Sequence, residues 1–219
     1  MIYIFLSILL QLTLPVNAQQ NQNAMWNYNT GRNLETQNRM TEANAYYNEA
    51  IRLSTAEINL NNANRDSYVA LTYSLRRQLR YAEVISWGER GLRTYSDEHR
   101  LVEIMGEAYF YLNDHDTSLR FMQRYVNEVP QGGRASVAYF FMGEIYRFRR
   151  SFQHADIAYT TAINLYPNNA LWWYRLASVR EAGGNFNEAI SAYERAINLD
   201  PAYREAIDGL ARSRRNIDS

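Results

Sequence analysis

The chain has 219 residues, 47% of them apolar and 14% aromatic, and its 23 basic side chains balance 23 acidic ones. This apolar content supports a folded core and excludes a disordered chain. The zero net charge argues against general nucleic-acid binding, which needs surplus positive charge to release counterions. Cysteine is absent, which excludes disulfides, thiolate metal sites and a cysteine nucleophile. All 23 basic residues are arginine.

Residues 2–14 form an uncharged apolar run. As a helix this run rises about 20 Å, short of a bilayer core of ~30 Å but right for a secretory h-region. Pro15 breaks it, and Val16-Asn17-Ala18 puts small residues at −3 and −1 of a cleavage after Ala18. We therefore expect a signal peptide over 1–18, although no Lys or Arg precedes the apolar run. The alternative is an uncleaved apolar helix that anchors or docks. Either form places the mature chain outside the cytoplasm, in the periplasm or cell envelope of a bacterium. Cleavage would leave no integral membrane span. A polar linker, 19–23, follows.

From residue 24 the chain repeats with a period near 34, in units starting near 24, 65, 99, 136 and 170. In the last unit the recurring slots hold Trp173, Leu176, Ala177, Phe186, Ala189, Tyr193, Ala196 and Pro201. The unit before it has Tyr139, Met142, Gly143, Phe152, Ala155, Tyr159, Ala162 and Pro167, and the third has Val102, Met105, Gly106, His115, Ser118, Met122, Tyr125 and Pro130. The first two units fit more loosely, through Gly31, Ala43, Tyr47 and Ala50, then Leu71, Thr72, Tyr81 and Val84. Each unit carries two stretches with apolar residues at helical spacing, and proline ends the second. The pattern resembles the tetratricopeptide repeat family over residues 24–203. The resemblance implies an all-α, right-handed solenoid of about five helix-turn-helix repeats. No such unit buries its apolar face alone, so stacking supplies the core.

Breaks in the period mark loops. The seven extra residues of the first unit fit the asparagine-rich stretch 58–64, and Gln131-Gly132-Gly133 lengthens the third unit. Residues 204–219 read as a capping helix, with Tyr203, Ala206, Ile207, Leu210 and Ala211 as its apolar stripe. In the second unit Gly88 and Gly91 replace an aromatic and an alanine. They read as a close contact filled in by Trp87 or Tyr95, or as a soft joint.

Little here points to catalysis. His99, His115 and His154 fall far apart in the register, and His115 takes a packing or helix-boundary slot. Asn113-Asp114-His115-Asp116 resembles a metal loop only superficially, because adjacent residues rarely converge on one ion. There is no nucleophile elbow, phosphate-binding glycine loop or paired-histidine zinc motif. Arg147-Phe148-Arg149-Arg150 ends a helix, where arginine complements the dipole, and this reading is preferred to nucleic-acid contact. We expect a non-enzymatic protein with no cofactor and no metal.

The resemblance implies that the inner face of the first helices forms a groove for a partner segment. Its slots carry Tyr73, Arg76 and Arg77; Arg100, Glu103, Glu107, Phe110 and Tyr111; Phe140, Glu144, Arg147 and Phe148; and Tyr174. Aromatics interleaved with arginine are what binding hot spots use. Chaperone-tail-binding members of the family hold a terminal carboxylate with lysine and asparagine at set slots. No three consecutive repeats here supply them: the first triplet offers Tyr28, Arg32, Ala70, Arg100 and Ile104. The expected function is an interaction scaffold or adaptor holding a peptide or loop of an envelope protein. The alternative is an accessory subunit of an envelope transport complex that cradles a small solute with a second subunit.

Overall fold

The computed structural model describes residues 23–217, so the expected signal peptide and most of the linker lie outside the described residues. Eleven α-helices and no strand are found among those residues. They are α1 (Ala24–Thr36), α2 (Met40–Asn59), α3 (Arg65–Arg77), α4 (Tyr81–Thr94), α5 (His99–Tyr111) and α6 (His115–Glu128), then α7 (Ala135–Phe148), α8 (Phe152–Leu165), α9 (Ala170–Ala182), α10 (Phe186–Leu199) and α11 (Arg204–Ile217). The chain divides into two compact units at Gln78/Leu79. In the first, α1 packs on α2 and α2 on α3. In the second, each helix from α4 to α11 packs on the next.

The helix boundaries have local causes. Asn23, Asn64 and Asn169 cap α1, α3 and α9, their side chains accepting from the backbone N–H groups of Trp26, Ser67 and Trp172. Pro130, Pro167 and Pro201 each lie two residues beyond a second helix, where the missing N–H stops propagation. The equivalent slot of the first repeat holds Thr55, and α2 runs on for 20 residues, against 14 in α4, α6, α8 and α10. Of the stretch 58–64 expected as a loop, 60–64 is turn and coil, while 58 and 59 belong to α2, which carries most of the unit's extra length. Ile58 is buried, which holds the extra turns in place.

Within each repeat the chain turns through one residue in the left-handed region: Asn38, Leu79, Asn113, Arg150 and Gly184, with φ of 61°, 60°, 63°, 57° and 81°. These occupy the same slot five times. In four of these turns the following N–H reaches back to a carbonyl of the first helix, as from Asp114 to Tyr109 and from Asn185 to Arg180. Glycine makes this turn without steric cost, whereas leucine and arginine do not.

Small residues set the distance between paired helices. A Cβ on Gly143 would meet the Tyr159 ring at 2.6 Å, and one on Gly31 would meet Tyr47 at 2.6 Å. In the fourth helix the space in front of Gly88 is filled by Met105, whose Sδ would lie 2.5 Å from an added Cβ. Close packing thus comes from α5, rather than from Trp87 or Tyr95.

The capping helix differs from its expected stripe. Ala206, Gly209 and Ser213 are buried, whereas Ile207 is 43% exposed and Ala211 is exposed. Gly209 lies against the Tyr193 ring. The smallest residues face α10 because that ring leaves room for nothing larger, and the helix is turned accordingly.

Candidate partner-binding groove

The first helices of the second unit meet through aromatic contacts. Phe110 on α5 packs edge-on against Phe141 on α7 at 4.9 Å and lies 6.1 Å from Phe148. Tyr111 stacks on Tyr81 at 4.7 Å and meets Phe141 at 5.9 Å. Phe148 stacks on His115 at 5.3 Å, with planes 8° apart, and the Arg147 guanidinium lies 4.5 Å from its centroid. Phe140 stacks on Trp172 of α9 at 5.2 Å. Tyr174 packs against Tyr203 at 5.1 Å. Phe141 is buried, so it forms a floor, while Tyr111 (45% exposed) and Phe148 (51%) keep open surface.

The charged residues sort differently. Glu103 and Glu107, one turn apart on α5, have no exposed surface. Both accept from Arg134, at 2.8 Å for Glu103. Burial first, then the neighbouring Glu107 carboxylate, push Glu103 up to about 8, and its Oε2 has no hydrogen-bond partner. Burial and the paired carboxylate both favour the protonated form here. The three-residue insertion 131–133 delivers Arg134, whose backbone N–H donates to the Tyr125 hydroxyl at 3.3 Å.

On α7 the proportions reverse. Glu144, 8% exposed at its side chain, is met by Arg147 at 2.9 Å and by Arg175 of α9 at 3.1 Å. It also accepts from the Tyr159 hydroxyl of α8. Burial, followed by the Glu144 charge, holds the Tyr159 phenol well above its ordinary range.

A tyrosine–glutamate–arginine relay recurs. In the last repeat Tyr193 donates to Glu181 at 2.6 Å, and Glu181 accepts from Arg212 of α11 at 3.0 Å. In the first unit Tyr47 donates to Glu35 at 2.6 Å, and Arg77 bridges to Glu35 at 3.1 Å. Each relay ties a second-helix tyrosine to an arginine of the following first helix. The second and third repeats have Gly88 and Met122 in the tyrosine slot and lack it.

The candidate residues therefore divide. The first unit holds Tyr73, packed on Tyr28 at 5.3 Å, with Arg76 and Arg77 half-buried on the same helix. In the second unit, contacts link Phe110, Tyr111, Phe140, Glu144, Arg147 and Phe148 across α5 and α7. Arg100 bridges to Glu98 at 2.8 Å. Sequence reasoning missed Arg134 as a groove residue, because it directly follows an insertion. It also passed over Arg175 and Phe141, at a slot considered only for a terminal carboxylate. His115 begins α6 within the aromatic cluster. Asp114 caps α6 by accepting from Thr117 N at 3.1 Å, and Asp116 pairs with Arg149, so both acids of the apparent metal loop have structural partners.

A cleft of about 810 Å³ opens elsewhere, lined by residues including Arg150, His154, Asp156, Ile157 and Arg180. Its walls are the start of α8 and the end of α9, and none of the candidate groove residues lines it. Arg180 pairs with Asp156 at 2.8 Å. Among the described residues no helix is long and apolar enough to cross a membrane.

Three tetratricopeptide repeat models match the chain, at residues 104–132, 136–169 and 170–203. No curated protein sequence matches it. Among solved structures, the APC/C hetero-tetramer Cut9–Hcn1 is similar at a TM-score of 0.72 and 16% identity, over 90% of this chain and 37% of that one. YrrB, described as a tetratricopeptide repeat protein with an unusual peptide-binding site, gives 0.57 and 19%, over 88% and 94%. MamA from residue 41 onward, from Desulfovibrio magneticus RS-1, gives 0.59 and 14%, over 84% and 97%. At these identities the likeness concerns the fold. Three successive stretches of this chain thus match tetratricopeptide repeat models, and the fold is the all-α tetratricopeptide repeat fold.

Proposed function

We propose that this protein is a non-enzymatic interaction scaffold whose α5–α7–α9 face holds a peptide segment or loop of another protein. The observation that carries this reading is the aromatic cluster of Phe110, Tyr111, Phe141 and Phe148. Its floor is buried, but its two rims keep about half their surface open. Exposed aromatics held rigid by their neighbours lose little entropy on binding, and arginine beside them supplies directional donors. The peptide-binding site named for YrrB, on the same fold, supports the same class of ligand. Glu103, Glu107 and Glu144 serve such a site from below, by positioning arginines.

In this reading the partner belongs to the cell envelope and the chain is exported, on the strength of the apolar run 2–14 and the Val16-Asn17-Ala18 motif. Intact mass of the exported protein tests this: a chain starting at Gln19 supports it, and one retaining residues 1–18 contradicts it.

Selection of a random peptide library on the full chain tests the groove. Enriched peptides should bind the protein and lose binding to a Tyr111→Ser/Phe148→Ser variant that keeps its helicity. Enriched peptides that bind both equally would place the site elsewhere.

A further inference from the structure

We infer that this groove, across α5, α7 and α9, recognises an acidic segment bearing an aromatic side chain: its carboxylates accept from Arg147 and Arg175, which share the single buried Glu144, and its ring packs on Phe148 and Tyr111. This rests on the groove reading above and adds the chemistry of the partner.

The sequence gives the groove a balanced set of charges, but the structure does not present them equally. The side chains of Glu103, Glu107 and Glu144 are 0%, 0% and 8% exposed, whereas those of Arg134, Arg147 and Arg175 are 39%, 26% and 29% exposed. The carboxylates are buried and the arginines stay part-exposed, although the Nε atoms of Arg134 and Arg175 are buried. Each guanidinium has five N–H donors in a planar fork, more than one buried carboxylate can use. Arg147 gives its Nε and one terminal nitrogen to Glu144. Among the described residues Glu144 is the only acid within ion-pair distance of Arg147 or Arg175.

One carboxylate beneath two arginines leaves a unit of positive charge at the surface. Glu181, on the same helix as Arg175, is engaged by Tyr193 and Arg212. On α5, Glu103 and Glu107 have no exposed surface and lie beneath Arg134, so neither carboxyl faces an acidic ligand there. The guanidinium of Arg147 lies over the Phe148 ring, placing anion recognition and the exposed aromatic rim on one spot.

The test uses fluorescently labelled, end-capped peptides with one phenylalanine, flanked in turn by Asp and Glu, by Asn and Gln, or by Lys. Fluorescence polarisation with the full chain should show binding of the acidic peptide only. Binding should weaken at least about tenfold when salt rises from about 50 to about 500 mM. An Arg147→Gln/Arg175→Gln variant should lose about tenfold for the acidic peptide, and Phe148→Ala should lose a similar factor. The comparison of peptides on the unaltered protein stands even if the double variant unfolds. Equal binding of the Asn/Gln peptide, preference for the Lys peptide, or no binding of the acidic peptide would overturn the inference. The groove reading would survive any of these if library-selected peptides still depended on Tyr111 and Phe148.

Discussion

The third repeat and the fourth solve one packing problem with opposite chemistry. In the third, Met122 fills the space beside Gly106, and two buried carboxyls lie beneath one arginine. In the fourth, the Tyr159 ring fills the space beside Gly143, and one carboxylate lies beneath two arginines. A thioether is flexible and adapts to its neighbours. A buried phenol locked to a carboxylate cannot adapt without breaking a charge-assisted hydrogen bond. The two repeats therefore share a backbone but differ in stiffness and in how they respond to protons.

The largest expected difference is in pH dependence. Glu103 sits near 8 in the folded chain, against the ordinary carboxylate value when unfolded. Between those values the folded state binds the extra proton, so stability falls as pH rises and levels off above the folded value. Glu103→Gln removes a loss of up to ~1.4 kcal/mol per pH unit over that window. Denaturant titrations at pH 5 and pH 8 should show the variant gaining on the parent at the higher pH. A constant difference would mean that Glu103 is ionised throughout.

Packing should separate the repeats next. Gly143→Ala forces a Cβ to 2.6 Å from the Tyr159 ring, and should cost about 2–3 kcal/mol. Gly106→Ala meets the end of Met122 at 2.9 Å, and should cost less than about 1 kcal/mol, part of it recovered as helix propensity. Thermal unfolding of both variants measures the gap, and equal costs would remove the distinction.

Tyr159→Phe strips Glu144 of a donor in a buried site and should cost about 1–3 kcal/mol. Met122→Leu, conserving volume at the equivalent slot, should cost less than about 1.5 kcal/mol. Chemical denaturation compares the two.

The smallest effects lie in the turns. Arg150 holds φ 57°, and Arg150→Gly should stabilise the chain by about 1 kcal/mol. Asn113→Gly, at φ 63°, should change little, because asparagine tolerates this conformation. Unfolding midpoints that move equally would show that the turn residues carry no strain.

Much of the fold was legible because its determinants are periodic. Proline past the end of a helix acts locally, and glycine opposite an aromatic acts within one repeat. The rotation of α11 was not legible. Its stripe could be drawn through Ile207 or through Gly209, and only the place of the Tyr193 ring decides. The extension of α2 escaped for a related reason, since asparagines 59, 61, 62 and 64 suggest turns while burial of Ile58 rewards helix. In the groove, residue types and slots were readable, but exposure was not. Glu103 and Arg147 look equally available in sequence, and only packing buries one and leaves the other part-exposed. Arg134 could not be placed because it depends on the path of an insertion.

The central claim is that the partner lies on the aromatic face of α5 and α7 and not in the cleft beside α8. Phenylalanine reports on both places, since Phe110, Phe141 and Phe148 belong to the groove and Phe152 lines the cleft. Full-length protein carrying 4-fluorophenylalanine, titrated with a library-selected peptide, gives a separate fluorine resonance for each ring. The resonances of Phe110, Phe141 and Phe148 should shift together while those of Phe152 and Phe186 stay fixed; a shift at Phe152 with Phe148 unmoved would contradict the account.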